Sequence, residues 1–427
     1  MAARPDTDVS RDPLTWCRAI AAAFLALVLH RLTIPSKPYF DEVHYLPAAR
    51  ALLALSHPLN TEHPLLGKEL IALGIAAFGD APLGWRLPGA LAGAGALFAA
   101  MRALWWASAS RPATLLFGAL VGTNFMLFVM ARIAMLDAFM LAFAMAALWL
   151  GARAIRRPDH GRRDLALAGV ALGASLASKW SAAPVVALPG LAFAAVRLAH
   201  VGPRRWLTAR DAAPVRGVSL LEAVLWLGIV PLAVYFATFV PTMLYADDPV
   251  APSGLLDYQL EMARLQSSVV QPHPYQSRWW QWLLDLRPIW FLYEPVDGAQ
   301  RGVLLVGNPV TMIAGLPALA LCLAWGRQRR DAAMLGTAAL FAASFGLWLI
   351  ADKPVQFYYH YLLPGTFLAA ALALVLGAGW ERGTRWPAWT VLAGALGLFA
   401  YFYPILSAGA LANDQGFLAY AWLDSWR

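Results

Sequence analysis

Apolar residues run along this chain in long blocks separated by short polar breaks. Blocks near residues 14–34, 84–106, 113–131, 135–152, 165–180, 182–198, 219–241, 303–325, 332–351, 356–379 and 387–405 each approach the roughly 17–25 residues that a helix needs to cross a bilayer. The pattern predicts an all-α polytopic membrane protein of about eleven transmembrane helices. Two intervals, 35–82 and 242–302, are too long to be simple turns, and long ordered loops carry function. In the first, apolar positions recur at helical spacing over 45–55 and 66–78, which predicts helices lying along the membrane surface. The second is dense in Trp, Tyr, Pro and His, residues suited to an interfacial position.

Composition sharpens this picture. Hydrophobic residues make up 60% of the 427 positions and charged residues 14%, against about 25% charged in a soluble domain. This excludes a disordered chain, a secreted disulfide scaffold and a soluble enzyme. The two cysteines, Cys17 and Cys322, lie in or near apolar blocks without metal-ligand spacing and read as reduced thiols. The apolar N-terminal stretch lacks a small-residue cleavage site before Pro35–Lys37, so it reads as a retained first span.

The net charge of +8 is explained by topology rather than by nucleic acid. With the N-terminus in the cytoplasm, alternation brings the dense basic clusters to one side. They are Arg4, Arg11 and Arg18; Arg102 and Arg111; Arg153, Arg156, Arg157, Arg162 and Arg163; Arg197, Arg204, Arg205, Arg210 and Arg216; Arg327, Arg329 and Arg330; and Arg382 and Arg385. Positive residues in short loops stay cytoplasmic. Intervals 35–82 and 242–302 then face outward, as two outer-face (periplasmic) loops. The Ala/Arg-rich usage suits a bacterial inner membrane.

The charges that this rule does not place collect at the ends of spans on the outer side, where ionisable groups are costly and tend to be functional. Asp41 and Glu42 follow the first span, in Tyr39-Phe-Asp-Glu-Val-His-Tyr45. A carboxylate there can accept the proton of an attacking hydroxyl, or the pair can simply end a helix. Glu62-His63-Pro-Leu-Leu-Gly-Lys68 offers cations for a phosphate in His63 and Lys68, or a carboxylate and an imidazole for a divalent metal. The plain alternative is a Pro-started helix with a solvated face. Arg132 can neutralise a phosphate leaving group, or pair with Asp137 across a turn. Lys179 follows a span and can snorkel. His273, Tyr275, Trp279 and Trp280, followed by Arg287, interleave sugar-stacking faces with a phosphate-binding guanidinium, more densely than an aromatic belt requires. Tyr358, in Gln356-Phe-Tyr-Tyr-His-Tyr361, begins a late span that can line the same site.

What is missing also directs the reading. There is no GxxxxGK[ST] loop, no GxGxxG after a strand, and no cytoplasmic loop long enough for a nucleotide-binding domain. A group transferred at the outer face must then come from a donor that traverses the membrane, and a lipid phosphate ester fits. Transporters gather polar groups at mid-membrane in repeated halves; this chain gathers them at one face and shows no repeat.

The motifs Phe40-Asp-Glu-Val-His44, His63-Pro-Leu-Leu-Gly-Lys68, Arg132 to Asp137, Ser178-Lys-Trp180 and His273-Pro-Tyr to Arg287-Pro-Ile-Trp290, in this order, resemble the protein O-mannosyltransferase family. More broadly, they resemble the GT-C glycosyltransferases that use polyprenyl-phosphate sugars. The resemblance implies one GT-C domain over residues 1–427, and transfer of mannose with inversion from a polyprenyl-phosphate donor to a protein Ser/Thr or a lipid hydroxyl. It makes Asp41 the general base and Glu42 an organiser of the acceptor site, with Arg132, Lys68, Arg287 and His63 toward the donor phosphate. His273, Tyr275, Trp279, Trp280 and Tyr358 fall to sugar and acceptor. The chain departs from the family in Leu65, where His-Pro-Pro is usual, and lacks the soluble insertion of eukaryotic members. The related aminoarabinose transferases carry a metal-binding acid in the position of Glu62. That makes Glu62 with His273 a metal expectation, although the resemblance requires no cofactor.

Overall fold

The computed structural model describes residues 12–268, 270–351 and 353–427. Arg4 and Arg11 of the basic N-terminal flank lie outside the described residues. Each apolar block becomes helix. Helix α1 (Leu14–Leu29) is followed by α2 (Glu42–Ala54) and α3 (Leu66–Phe78) in the first long interval. Next come α4 (Pro82–Ser108), α5 (Arg111–Gly122), α6 (Phe125–Met130), α7 (Leu136–Arg156), α8 (Gly161–Ser178) and α9 (Ala183–Val201). Helices α10 (Leu220–Val224) and α11 (Val230–Ala237) are joined through a π turn at Leu225–Ile229.

The second interval holds α12 (Leu255–Ser268), the single turn α13 (Trp279–Trp282), and strands β1 (Ile289–Val296) and β2 (Ala299–Leu305). Helices α14 (Pro309–Arg329), α15 (Ala332–Ile350), α16 (Leu362–Glu381) and α17 (Trp386–Leu406) follow, and β3 (Ala410–Leu411) comes last.

Among the described residues, eight helical segments are long and apolar enough to cross a membrane; α1 and α5 are shorter apolar helices. The segment Tyr358–Glu381, which contains α16, is 83% buried within the protein, and Trp180–Val201, which contains α9, only 22%. The first is a core element, and the second presents most of its apolar surface outward, as a lipid-facing helix does. Glycines let helices approach closely where the sequence supplies them. A Cβ added at Gly169 on α8 would lie 1.9 Å from the Trp226 carbonyl oxygen of the π turn, so α8 can seat there only through a small residue.

Two features refine the expectation. The block near 113–131 is interrupted between α5 and α6, where the Asn124 side chain accepts from the Met126 amide at 3.0 Å and starts a new helix. The helical fold expected is present, and to it is added a small three-stranded antiparallel sheet in the order β1-β2-β3. Its tight turn is Asp297-Gly298, with φ of 49° and 72°, the left-handed pair that a two-residue hairpin demands. The hairpin is pinned to the end of the first span: Ser36 donates to the Asp297 carboxylate, and Lys37 pairs with Glu294 at 2.8 Å.

Candidate active site

The hairpin fixes the start of α2. Phe40, with φ of 51°, stacks on Phe291 of β1, ring centroids 3.9 Å apart. A non-glycine residue holds that left-handed backbone at a cost, and the stack keeps it there. The next two residues point their carboxylates into opposite surroundings.

Glu42 is fully buried and saturated. Its Oε1 accepts from Arg86 Nε at 2.8 Å and the Ala134 amide at 3.0 Å. Its Oε2 accepts from Arg86 Nη2 at 2.8 Å and the Tyr39 amide at 3.2 Å. Arg86 also donates to the carbonyls of Leu32, Pro35 and Lys37. This two-point ion pair ties α4, the loop before α2 and the α6–α7 connection together, and leaves Glu42 no lone pair for a ligand.

Asp41 is half-buried and, among the described residues, its carboxylate keeps one weak partner, the Tyr45 hydroxyl at 3.4 Å. Burial pushes its carboxyl up to about 6; the Lys179 ammonium opposes that rise and the Asp137 carboxylate adds to it. Lys179 does not snorkel. It is 5% exposed, donates to Asp137 Oδ2 at 2.7 Å, and lies 4.8 Å from the centre of the Tyr359 ring. Asp137 therefore pairs with a lysine 42 residues onward and not with Arg132. Lys353 completes the cluster. Its ammonium donates to Gln266 Oε1 at 2.9 Å, and burial and Lys179 bring its pKa down to about 8, against Asp41, Asp137 and Glu62. The Gln266 amide nitrogen donates to the Glu62 carbonyl and meets His63 Nδ1 at 3.2 Å. Beside this cluster, a cavity of about 280 Å³ is lined by Val43, His44, Pro47, Leu59, Asn60 and Glu62.

Several residues expected to meet the ligand have their donors on protein groups in this structure. Arg132, 5% exposed, donates to the carbonyls of Val28 at 2.6 Å, His30 at 2.8 Å and Arg31 at 3.1 Å, and at longer range to Leu27 and Ser407. It clamps the C-terminal carbonyls of α1, the groups a helix end leaves unpaired. Lys68, fully buried, donates to the carbonyls of Asn60 and His63 at 2.7 and 2.8 Å and closes the loop that carries Glu62. Arg287 is taken up by the carbonyls of Ser425 and Pro274. Tyr358 is fully buried, donates to Asp285 and accepts from the Gly307 amide, so it offers no face to a sugar.

His63 stays beside the cluster, its ring 5.8 Å from that of Tyr45, and burial holds its imidazole well below its ordinary pKa, in the neutral form. His273 and Tyr275 meet the start of the late span: the His273 ring lies 5.1 Å from Phe357, and the Ser277 amide donates to the Gln356 carbonyl. Trp279 packs on Phe345, and Trp280 is 44% exposed. The metal expectation does not fit these residues. Glu62 is engaged by Asn60 at 2.6 Å, His273 Nδ1 accepts from the Tyr275 amide, and among the described residues no three His, Cys, Asp or Glu gather as a ligand set.

A half-buried carboxylate of raised pKa, on a helix whose first turns line a cavity and with two lysines acting on it, is equipped to take a proton from a hydroxyl and to stabilise an anionic leaving group. The family model for dolichyl-phosphate-mannose-protein mannosyltransferase matches residues 19–245, and that for the C-terminal four-helix membrane region of protein O-mannosyltransferase matches 252–426. The chain belongs to the protein O-mannosyltransferase family. It is 31% identical to the polyprenol-phosphate-mannose–protein mannosyltransferase of Mycobacterium tuberculosis, over 94% of this chain and 89% of that one. It is 30% identical to that of Mycolicibacterium smegmatis, over 96% and 91%. Among solved structures, the Saccharomyces cerevisiae protein O-mannosyltransferase Pmt1–Pmt2 complex bound to the sugar donor shares the fold, with TM-score 0.78 and 14% identity over 97% of this chain and 92% of that one. ArnT from Cupriavidus metallidurans follows with TM-score 0.57 and 17% identity, covering 95% of this chain and 68% of its own. This family member is thus a multi-pass membrane glycosyltransferase of GT-C fold.

Proposed function

We propose that the chain transfers mannose from a polyprenyl-phosphate-mannose donor to a Ser or Thr hydroxyl of a protein, at the periplasmic face of a bacterial inner membrane, with its N-terminus in the cytoplasm. The observation that carries the reading is Asp41: a half-buried carboxylate with its pKa pushed up to about 6, one weak hydrogen bond, and a cavity along the first turns of its own helix. Transfer is a single displacement. The acceptor oxygen bonds to the anomeric carbon as its proton passes to Asp41. The bond from that carbon to the phosphate oxygen breaks, and polyprenyl phosphate leaves with the electron pair at an inverted centre.

Lys179 and Lys353 face the departing charge in this reading, in place of Arg132, Lys68 and Arg287, whose donors are committed to carbonyls. Each such contact in a partly desolvated site is worth ~2–4 kcal/mol in the transition state. Glu42 acts as a positioning residue that holds the backbone on either side of Asp41. His273, Tyr275 and Trp280 form the aromatic rim where sugar and acceptor enter.

The test supplies radiolabelled polyprenyl-phosphate-mannose to membranes carrying the native protein or Asp41→Asn. Label appearing in protein only with the native chain is the expected result. Label entering the lipid fraction would replace the protein acceptor by a lipid, and equal transfer by both forms would remove Asp41 from the chemistry.

A further inference from the structure

His360 sits in the 3-10 turn Tyr358–Tyr361 that leads into α16, and its ring is 4% exposed. The Phe357 amide donates to His360 Nδ1 at 3.1 Å. That nitrogen is therefore the acceptor, and the neutral ring must carry its proton on Nε2. Among the described residues, Nε2 is buried with no hydrogen-bond partner. A buried N–H left unpaired is costly and calls for an explanation. The ring cannot easily turn away, because Trp348 stacks on it at 3.9 Å and 25°.

The surroundings say what the missing acceptor is. The Tyr359 ring lies 4.4 Å from His360, and Lys179 Nζ lies 4.8 Å from the centre of the same Tyr359 ring. Lys353 and Lys179 both act electrostatically on the imidazole. An N–H donor that shares its surroundings with two ammonium groups is matched by an anion with several oxygens. We infer that His360 donates from Nε2 to a phosphoryl oxygen of the lipid-phosphate donor, fixing the phosphate beside Lys179 and Lys353. This rests on the proposed polyprenyl-phosphate-mannose reading. It adds to it a neutral, directional contact from a residue that neither the acid–base chemistry nor the ion pairs use.

Two substitutions separate this role from a structural one. His360→Asn keeps an acceptor near Nδ1 for the Phe357 amide and removes the outer donor. His360→Gln reaches the Nε2 position with an amide N–H and gives up the inner bond. Purified native protein is first shown to turn over polyprenyl-phosphate-mannose; if it does not, the functional reading fails before His360 is tested. Binding of polyprenyl phosphate and of polyprenyl-phosphate-mannose is then measured by tryptophan fluorescence, to which Trp348 contributes, alongside donor KM and kcat.

The expected result is a rise in Kd of about ten- to a hundred-fold for both lipids in His360→Asn, with His360→Gln recovering most of it. Native-like binding by His360→Asn would overturn the proposal, leaving the N–H to a buried water. Loss with the mannosylated lipid alone would also overturn it, because the N–H would then serve the sugar. Equal losses in both variants, with kcat and KM moving together and a lowered melting temperature, would mark His360 as purely structural.

Discussion

Asp41 and Glu42 are neighbours in sequence and opposites in environment. Glu42 is closed off by four donors, including Nε and Nη2 of Arg86; Asp41 has, among the described residues, one hydroxyl at 3.4 Å and an open cavity beside its helix. The same contrast divides the cations around them. Arg86, Arg132, Lys68 and Arg287 spend their donors on carbonyls or on Glu42, while Lys179 and Lys353 belong to a small cluster of interacting charges with Asp41 and Asp137. The lesson is that charge at the end of a span has two uses. Saturated groups build the frame, and undersatisfied groups next to a cavity perform the chemistry. A pair of carboxylates whose surroundings differ in this way divides its roles accordingly.

The contrast breaks most visibly in a pair of isosteric substitutions. Asp41→Asn should lower the transfer rate by ~10²–10⁴ and leave the melting temperature near that of the native protein. Glu42→Gln should do the reverse in kind. It leaves the Arg86 guanidinium buried without its carboxylate, a loss of ~3–5 kcal/mol, read as a lowered melting temperature or poor recovery of folded protein in detergent. Activity per folded molecule should fall less than in Asp41→Asn. If Asp41→Asn melts early and retains transfer, the two assignments exchange.

Arg132→Lys gives a smaller effect on the same axis. A lysine cannot span the carbonyls of Val28, His30 and Arg31 together, so the end of α1 should loosen and the melting temperature fall. Donor KM should stay within about twofold, because the Arg132 donors go to backbone carbonyls; such charge-assisted bonds, worth ~1.5–3 kcal/mol each, support stability. A large rise in donor KM with unchanged stability would return Arg132 to the phosphate.

The helices were readable because length and apolarity alone specify a membrane helix, and so was the concentration of polar residues at span ends. The hairpin carried a legible signal in Asp297-Gly298, but an expectation of all-helical structure masked it. The partners of the charges were not readable. Asp137 lies five residues from Arg132, yet it pairs with Lys179 across a helix-to-helix contact, and Arg132 turns to the carbonyls of α1. Backbone carbonyls leave no mark in side-chain sequence, so an arginine that serves them looks the same as one awaiting a phosphate. Tyr358 misleads for the same reason: its partners are a buried acid 73 residues away and a backbone amide. Lys179 and Lys353 were visible as polar residues out of place, but only folding shows that they meet.

The finest test of the comparison is the pH profile. Transfer needs Asp41 as the carboxylate and Lys353 as the ammonium, so the rate should climb as pH rises through about 6 and fall again above about 8. The charges around Asp41 set where that climb occurs. Lys179 stabilises the ionised form, so Lys179→Gln should move the acid limb to higher pH as well as lower kcat. Asp137 destabilises it by like-charge repulsion, so Asp137→Asn should move the limb to lower pH while Lys179 keeps its charge. Glu42→Gln, measured on the fraction that folds, should leave the limb where it is, because Glu42 is not among the charges that set the Asp41 pKa. Opposite displacements for the two cluster variants and none for Glu42 would locate the titrating base on the open side of the pair. A displacement shared by all three would instead assign the limb to a general change in the fold.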